Sequence, residues 1–372
     1  MSVGNRGSGI GNRRSKLLPA LALLAALVAF PGRGACQEEQ YFEETHKPKI
    51  TFRWDALARY DLITHLNRGD IERGRFEFRP ELALELSERF KVAARAVGSF
   101  GTDDNADNAI NFDNYRSNGA ALERYYVEAR PGSWVLRAGS FGLPVAATEM
   151  LWDHDIQTPG AAVGWARRAG ASTLSLAAAY LYGPQREGDR TRIGVGQVLW
   201  SGEAQSFGWE VAGSYWDFGI DDLKAHTVRQ NRFVIRGGVR VHASDFEIAD
   251  ALLRVRYTGL RFPVEVSLDG THNVGAVTDE KDAIEASVSV GQLGTPGQWR
   301  AFYTFQYVER DAVLGAYNTD DWWFHSRYRG HRAGVGVTFL PRVFVRGTVM
   351  LQRRLDLPRW LNRYTIDLVK MF

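Results

Sequence analysis

From Ile50 onward the chain alternates apolar and polar residues with a period of two, the pattern of strands whose faces meet different surroundings. In the first such segment Ile50, Phe52, Trp54, Ala56, Ala58, Tyr60 and Leu62 fall on one face. Thr51, Arg53, Asp55, Leu57, Arg59 and Asp61 fall on the other. Over 75–87, Phe76, Phe78, Pro80, Leu82, Leu84 and Leu86 alternate with Arg75, Glu77, Arg79, Glu81, Ala83, Glu85 and Ser87. Soluble sandwiches alternate too, but their strands run mostly about 5–6 residues, whereas a tilted membrane strand needs about 9–11. Segments this long, apolar with aromatic ends on one face and crowded with Arg and Glu on the other, predict lipid outside and a wet lumen within.

The pattern recurs to the end of the chain, with short turns at 87–90, 131–133, 168–173, 201–206, 258–261, 292–298 and 340–342. Longer polar loops lie between them, at 63–74, 101–120, 142–160, 183–192, 271–282, 309–331 and 353–363. Including 232–241 would give seventeen strands, but bacterial single-chain barrels have an even number. The long–short alternation also breaks only there, which places 217–247 wholly in one long external loop. The expected fold is therefore all-β: a closed antiparallel transmembrane β-barrel of sixteen strands over 48–372, with short periplasmic turns and long external loops. The last segment puts Tyr364, Ile366, Leu368 and Phe372 on one face, interrupted by Lys370. An aromatic final residue on such a strand is a signal for barrel-insertion machinery.

Residues 1–36 read as a secretory signal peptide: Arg13-Arg14-Ser15-Lys16, an apolar run from Leu17 to Phe30, then small residues. That run is too short to span a bilayer as a helix, which needs about 20 residues. Cleavage after Cys36 is favoured over cleavage after Gly34; lipidation of Cys36 is the alternative, and Arg33 sits where that signal wants an apolar residue. A short periplasmic segment, 37–47, would follow. The whole chain has 46 basic and 43 acidic residues, but the leader holds five of the bases and no acid, leaving 41 against 43. Net charge gives a nucleic-acid partner no support. One cysteine excludes an internal disulfide and a cysteine-based zinc cluster.

Three stretches add a family resemblance over residues 48–372: Thr148-Glu149-Met150-Leu151-Trp152-Asp153-His154-Asp155 with Gln157-Thr158-Pro159-Gly160, Ser244-Asp245-Phe246 with His272-Asn273, and Glu309-Arg310-Asp311-Ala312-Val313-Leu314-Gly315. In these the chain resembles a family of bacterial outer-membrane porins, departing at Asn318-Thr319-Asp320-Asp321-Trp322-Trp323, where relatives carry a shorter acidic-aromatic motif. The resemblance implies a bacterial outer-membrane location, a homotrimer and passive transport, with no assigned solute and no catalytic residues.

A lumen selects by width and by lining charge. The expected pore-lining residues are Arg53, Arg59, Arg75, Arg79, Arg95, Arg124, Arg130 and Arg137, with Lys91 beside them and Arg254, Arg256, Arg300, Arg332 and Arg346 further round. Arginine stays ionised, and its forked donors bind carboxylates or phosphates; the plainer reading is that most of these groups pair with Asp55, Asp61, Glu77, Glu81, Glu85 and Glu128. Loop 142–160, with Glu149, Asp153 and Asp155, is the candidate constriction loop; the alternative is an external loop whose acids meet solvent. The excess of inward arginine predicts weak anion preference.

Asp153-His154-Asp155 makes an incomplete zinc site, and loop 101–120, with Asp103, Asp104, Asp107 and Asp113, is read as solvated rather than calcium-binding. No metal and no cofactor is expected. The eight histidines are scattered over loops and strand ends, and no local Ser–His or paired Asp–His signature of a barrel hydrolase emerges. Partners are small hydrophilic solutes and outer-membrane lipid. A solute-specific channel and a barrel enzyme are the rival functions.

Overall fold

Sixteen long strands close on one another without leaving an edge. The structure is a computed structural model describing residues 48–65, 69–102, 119–183, 191–220, 223, 231–319 and 321–371. The leader with Cys36, segment 37–47, the acidic stretch 103–118, Asp320 and Phe372 lie outside the described residues. In chain order the strands are β1 (Lys49–Thr64), β2 (Ile71–Ser87), β3 (Phe90–Gly101), β4 (Gly119–Ala129), β5 (Trp134–Phe141) and β6 (Thr158–Ala169). Next come β7 (Ser172–Tyr182), β8 (Thr191–Ala204), β9 (Phe207–Ile220), β10 (Phe233–Arg236), β11 (Val239–His242) and β12 (Phe246–Tyr257). The chain ends with β13 (Val264–Asn273), β14 (Asp282–Gly291), β15 (Trp299–Val308), β16 (Tyr328–Leu340), β17 (Val343–Arg354) and β18 (Leu361–Lys370).

Every barrel neighbour is antiparallel, and β1 seals the cylinder, with Tyr60 opposite Gly74 of β2 on one side and Ile366 of β18 on the other. Closure gives every wall strand two partners, which a lipid-facing sheet requires because hydrocarbon satisfies no backbone polar group. Strand β9 pairs directly with β12, so the segment between them stays out of the wall. There the structure corrects one expectation: 217–247 is not all loop. β9 runs on to Ile220, β12 starts at Phe246, and β10–β11 form their own hairpin. Alternation over 232–241 is real, but Gly237 and Gly238 adopt φ of 58° and 82°, letting the chain turn back in two residues and pair with itself.

The two faces divide as alternation requires. Ile50, Phe52, Leu82, Leu122, Val198, Val335 and Ile366 are exposed on the outside; Arg59, Glu77, Glu128 and Asp367 are buried within. The wet-lumen expectation fails on one side. Leu181 of β7, Ile193 and Val195 of β8, Trp216 and Phe218 of β9, and Phe246 and Ile248 of β12 point inward and are buried. Against them pack Met150, Leu151, Trp152 and Ile156 of the 142–157 loop and Val313, Leu314, Tyr317 and Trp322 of the 309–327 loop. Burying such side chains is worth about 1.5–3 kcal/mol each, so the apolar inner wall is what draws both loops into the barrel. Gly330 makes room for one of them: a Cβ there would lie 2.4 Å from the Trp322 ring.

Candidate functional site

Residues 142–157 leave β5 and cross the interior, tied down at successive points. Gln197 of β8 accepts from the Ala146 N–H at 2.9 Å and donates to its carbonyl at 2.7 Å. The Thr148 hydroxyl donates to Asp269 of β13 at 2.5 Å, and Glu149 meets Arg332 of β16 at 2.6 Å. At the far end Asp155 meets Arg79 of β2 at 3.2 Å, and Gln157 accepts from Arg124 of β4 at 3.0 Å.

The 309–327 loop folds against the first. The Asp153 N–H donates to the Tyr317 carbonyl at 2.7 Å, and the Thr319 N–H to the Glu149 carbonyl at 3.1 Å. Asp311 fixes its root, accepting from Ser244 Oγ at 2.8 Å and the Arg232 N–H at 2.9 Å, while Asn273 donates to the Asp311 and Asp245 carbonyls at 2.7 and 3.0 Å. The three stretches that carried the family resemblance thus converge on one interior assembly.

Opposite the loops stands a wall of ion pairs. Arg59 binds Asp367 at 2.7 Å and Asp321 at 2.6 Å; Arg75 and Arg79 share Glu77 at 2.8 and 3.0 Å; Arg95 binds Glu123 at 2.6 Å. Arg124 reaches Glu81 at 3.3 Å. Strict alternation gave no inward place to Glu123. The pairing slips there, with Arg95 opposite Arg124 and Ala96 opposite Leu122, so a β-bulge turns both Glu123 and Arg124 inward. Arg363, also unforeseen, chelates Asp61 at 3.0 and 3.1 Å.

A cavity of about 770 Å³ lies between loops and wall, lined by Arg59, Arg75, Arg79, Arg95, Arg124, Glu149, Asp153 and Asp155 among the expected residues. Arg53, Arg130 and Arg137 do not line it; Arg130 and Arg137 instead converge on Glu128 at 2.6 and 2.5 Å, beside the 131–133 turn. Arg254, Arg300, Arg332, Arg346 and Lys370 complete the basic lining, ten groups against eight acids. A smaller cavity of about 380 Å³ shares Glu265, Arg300 and Arg346 with it and extends to the 292–298 turn.

The loop groups are strongly polarised. Burial opposes the charge on Asp155, but Arg79, His154 and Arg75 outweigh it and hold the carboxyl well below its usual range. Asp321 is held down in the same way, burial being overcome by Arg59, Arg363 and Arg332. His154 has its ring nitrogens 3.7–3.8 Å from Glu149, Asp153 and Asp155. Partial burial would lower its pKa; Asp155, Glu149, Asp153 and Asp321 together raise it above 6.5. No group of three or more His, Cys, Asp or Glu side chains among the described residues is placed to hold a metal ion.

No family model matches the chain, and no curated protein matches it. Among solved structures it is similar to Pseudomonas putida OprB, at 11% identity and a TM-score of 0.63, covering 87% of this chain and 94% of that one. It is similar to an anion-selective porin from Comamonas acidovorans, at 12% identity and a TM-score of 0.52, covering 88% and 100%. Salmonella typhi OmpF matches at 9% identity and a TM-score of 0.52, covering 87% and 97%. The fold is therefore that of the bacterial outer-membrane porins: a closed sixteen-stranded antiparallel barrel.

Proposed function

We propose that the chain is a non-enzymatic porin of a bacterial outer membrane, admitting small hydrophilic solutes by passive diffusion with weak anion preference. The observation that supports this best is the 142–157 loop, held across the lumen with Glu149, Asp153 and Asp155 opposite the arginines of β1–β4. In this reading the loop is the constriction, and acids facing arginines across a narrow path set up a transverse field that orders passing dipoles and ions. Ten basic against eight acidic lining groups favour anions only slightly, because most are paired. The short turns face the periplasm and the long loops the exterior, three copies assemble, and residues 1–36 are removed on export.

Planar-bilayer recording of the refolded protein tests this directly. Ohmic channels with a chloride-favouring reversal potential under a salt gradient are expected; a potential of the opposite sign sinks the anion preference, and no conductance sinks the porin. Turnover of lipid or peptide by the pure protein would instead establish an enzyme.

A further inference from the structure

On the outer face of the barrel, at the long-loop end, Arg329 of β16 stands directly opposite Arg353 of β17. Like charges directly across two strands repel and destabilise the pair, so a wall built this way needs something to offset the repulsion. Trp360, just before β18, lies 5.4 Å from each guanidinium. Ring contacts of this kind attract each cation weakly but supply no negative charge. Among the described residues neither arginine has an ion-pair partner, and the Nε of each is buried without a hydrogen bond. Acids on this rim are engaged elsewhere: Asp356 by Arg327 and Arg354, and the Glu309 carboxylate by the Lys281 and Asp282 N–H groups.

What lies along the wall from the pair is as informative as the pair itself. His331 of β16 shares a 2.8 Å hydrogen bond with the Tyr303 hydroxyl and packs 5.7 Å from Trp360. Beyond it the outer face turns apolar, through Leu351, Val349 and Val335, all exposed. Two unneutralised cations and an aromatic layer above a greasy strip match an amphiphile with its anion at the head and its chains alongside. A free ion would use the first feature and leave the second idle.

We propose that Arg329, Arg353 and Trp360 form a binding site for the phosphate of an anionic lipid in the outer leaflet. The site rests on the membrane-barrel reading above and is separate from the lumen. Guanidinium forks suit phosphate oxygens, and a phosphate between the two arginines converts a repulsive pair into a bridged one.

The test is native mass spectrometry of the full refolded protein with phosphatidic acid, or with diacylglycerol of the same chains, in mixed micelles. Wild type should retain phosphatidic acid at least tenfold over diacylglycerol, and millimolar inorganic phosphate should not displace it. R329Q/R353Q should lose that preference, while R192Q, also outward at the same rim on β8, should keep it. Equal retention by R329Q/R353Q, or displacement by inorganic phosphate, overturns the lipid site while the heat-modifiable band on unheated gels still reports a barrel. An oligomer that forms only with both arginines present and excludes the lipid overturns it in favour of a second copy. Absence of the band in wild type removes the barrel, and the site with it.

Discussion

Gln197 holds Ala146 by both sides of its peptide backbone, accepting from the N–H at 2.9 Å and donating to the carbonyl at 2.7 Å. The amide of one wall residue thereby does for the crossing loop what a neighbouring strand does for a sheet edge, and it does so at the loop's approach to the lumen.

Replacing Gln197 with Leu keeps the bulk and removes both bonds. Each backbone group left without a partner in a partly buried site costs about 1–3 kcal/mol, and the loop can avoid that cost by moving into water. Single-channel records of Gln197→Leu should show more open-channel noise than wild type, with the barrel's thermal transition within a few degrees. Unchanged noise would mean that the loop's apolar side chains hold it unaided.

Arg332 touches both interior loops, at 2.6 Å from Glu149 and 3.7 Å from Asp321. Arg332→Gln removes one positive charge from the lining and leaves Glu149 without that partner. A unit charge about 4 Å from a passing ion in water is worth about 1 kcal/mol, so chloride permeability should fall by up to about fivefold, and the chloride-to-potassium permeability ratio with it. A reversal potential identical to wild type would show that Arg332 only braces the loops.

His154 gives the eyelet a pH dependence whose sign follows from its surroundings. Burial favours the neutral ring, but Asp155, Glu149, Asp153 and Asp321 outweigh it and hold the pKa above 6.5. Positive at pH 6.5, the ring loses its charge as pH rises through the elevated value. The stabilisation it draws from those carboxylates is complete below 6.5 and disappears over the same climb. Anion preference should therefore decline as pH rises from 6.5 through the elevated value, and His154→Ala should flatten that decline. An equal slope in the variant would place the titrating group elsewhere.

The wall was legible in the sequence because it obeys one rule from end to end: strand faces alternate, and turns alternate short and long. Even the exclusion of 232–241 followed from that rule, although its hairpin did not, since alternation says that a segment can pair but not with whom. The lumen was legible only in part. Arg59, Arg79 and Arg124 stand at the cavity as their parity requires, whereas Glu123 turns inward to bind Arg95 through a bulge that breaks parity. The apolar inner patch was misjudged for a related reason. Near the long-loop end of β8 the inward positions are Ile193 and Val195, where a period-two reading with Arg192 outside expects polar residues to face the lumen. Only the loops explain it, because a surface that would be unfavourable against water is filled by Trp152, Tyr317 and Trp322.

That division of labour can be tested at Trp216, fully buried on the inner face of β9. Its indole stacks 5.8 Å from Trp152 and 6.0 Å from Phe218, and its Nε1 donates to Ser214 Oγ at 2.8 Å. Truncating a buried Trp to Ala typically costs about 3–5 kcal/mol. In an ordinary core that would be felt by the whole fold; here the ladder between β8, β9 and β12 and the outer apolar face are untouched, so the loss should fall on the contact between loops and wall. Trp216→Ala should keep its heat-modifiable band yet conduct more than wild type, as the 142–157 loop loses the surface it packs on. Added indole, filling the vacated space, should bring conductance back down. If the variant instead unfolds at a much lower temperature with unchanged conductance while folded, the inner cluster supports the barrel rather than the loops, and the path past Glu149 owes its width to the ion pairs alone.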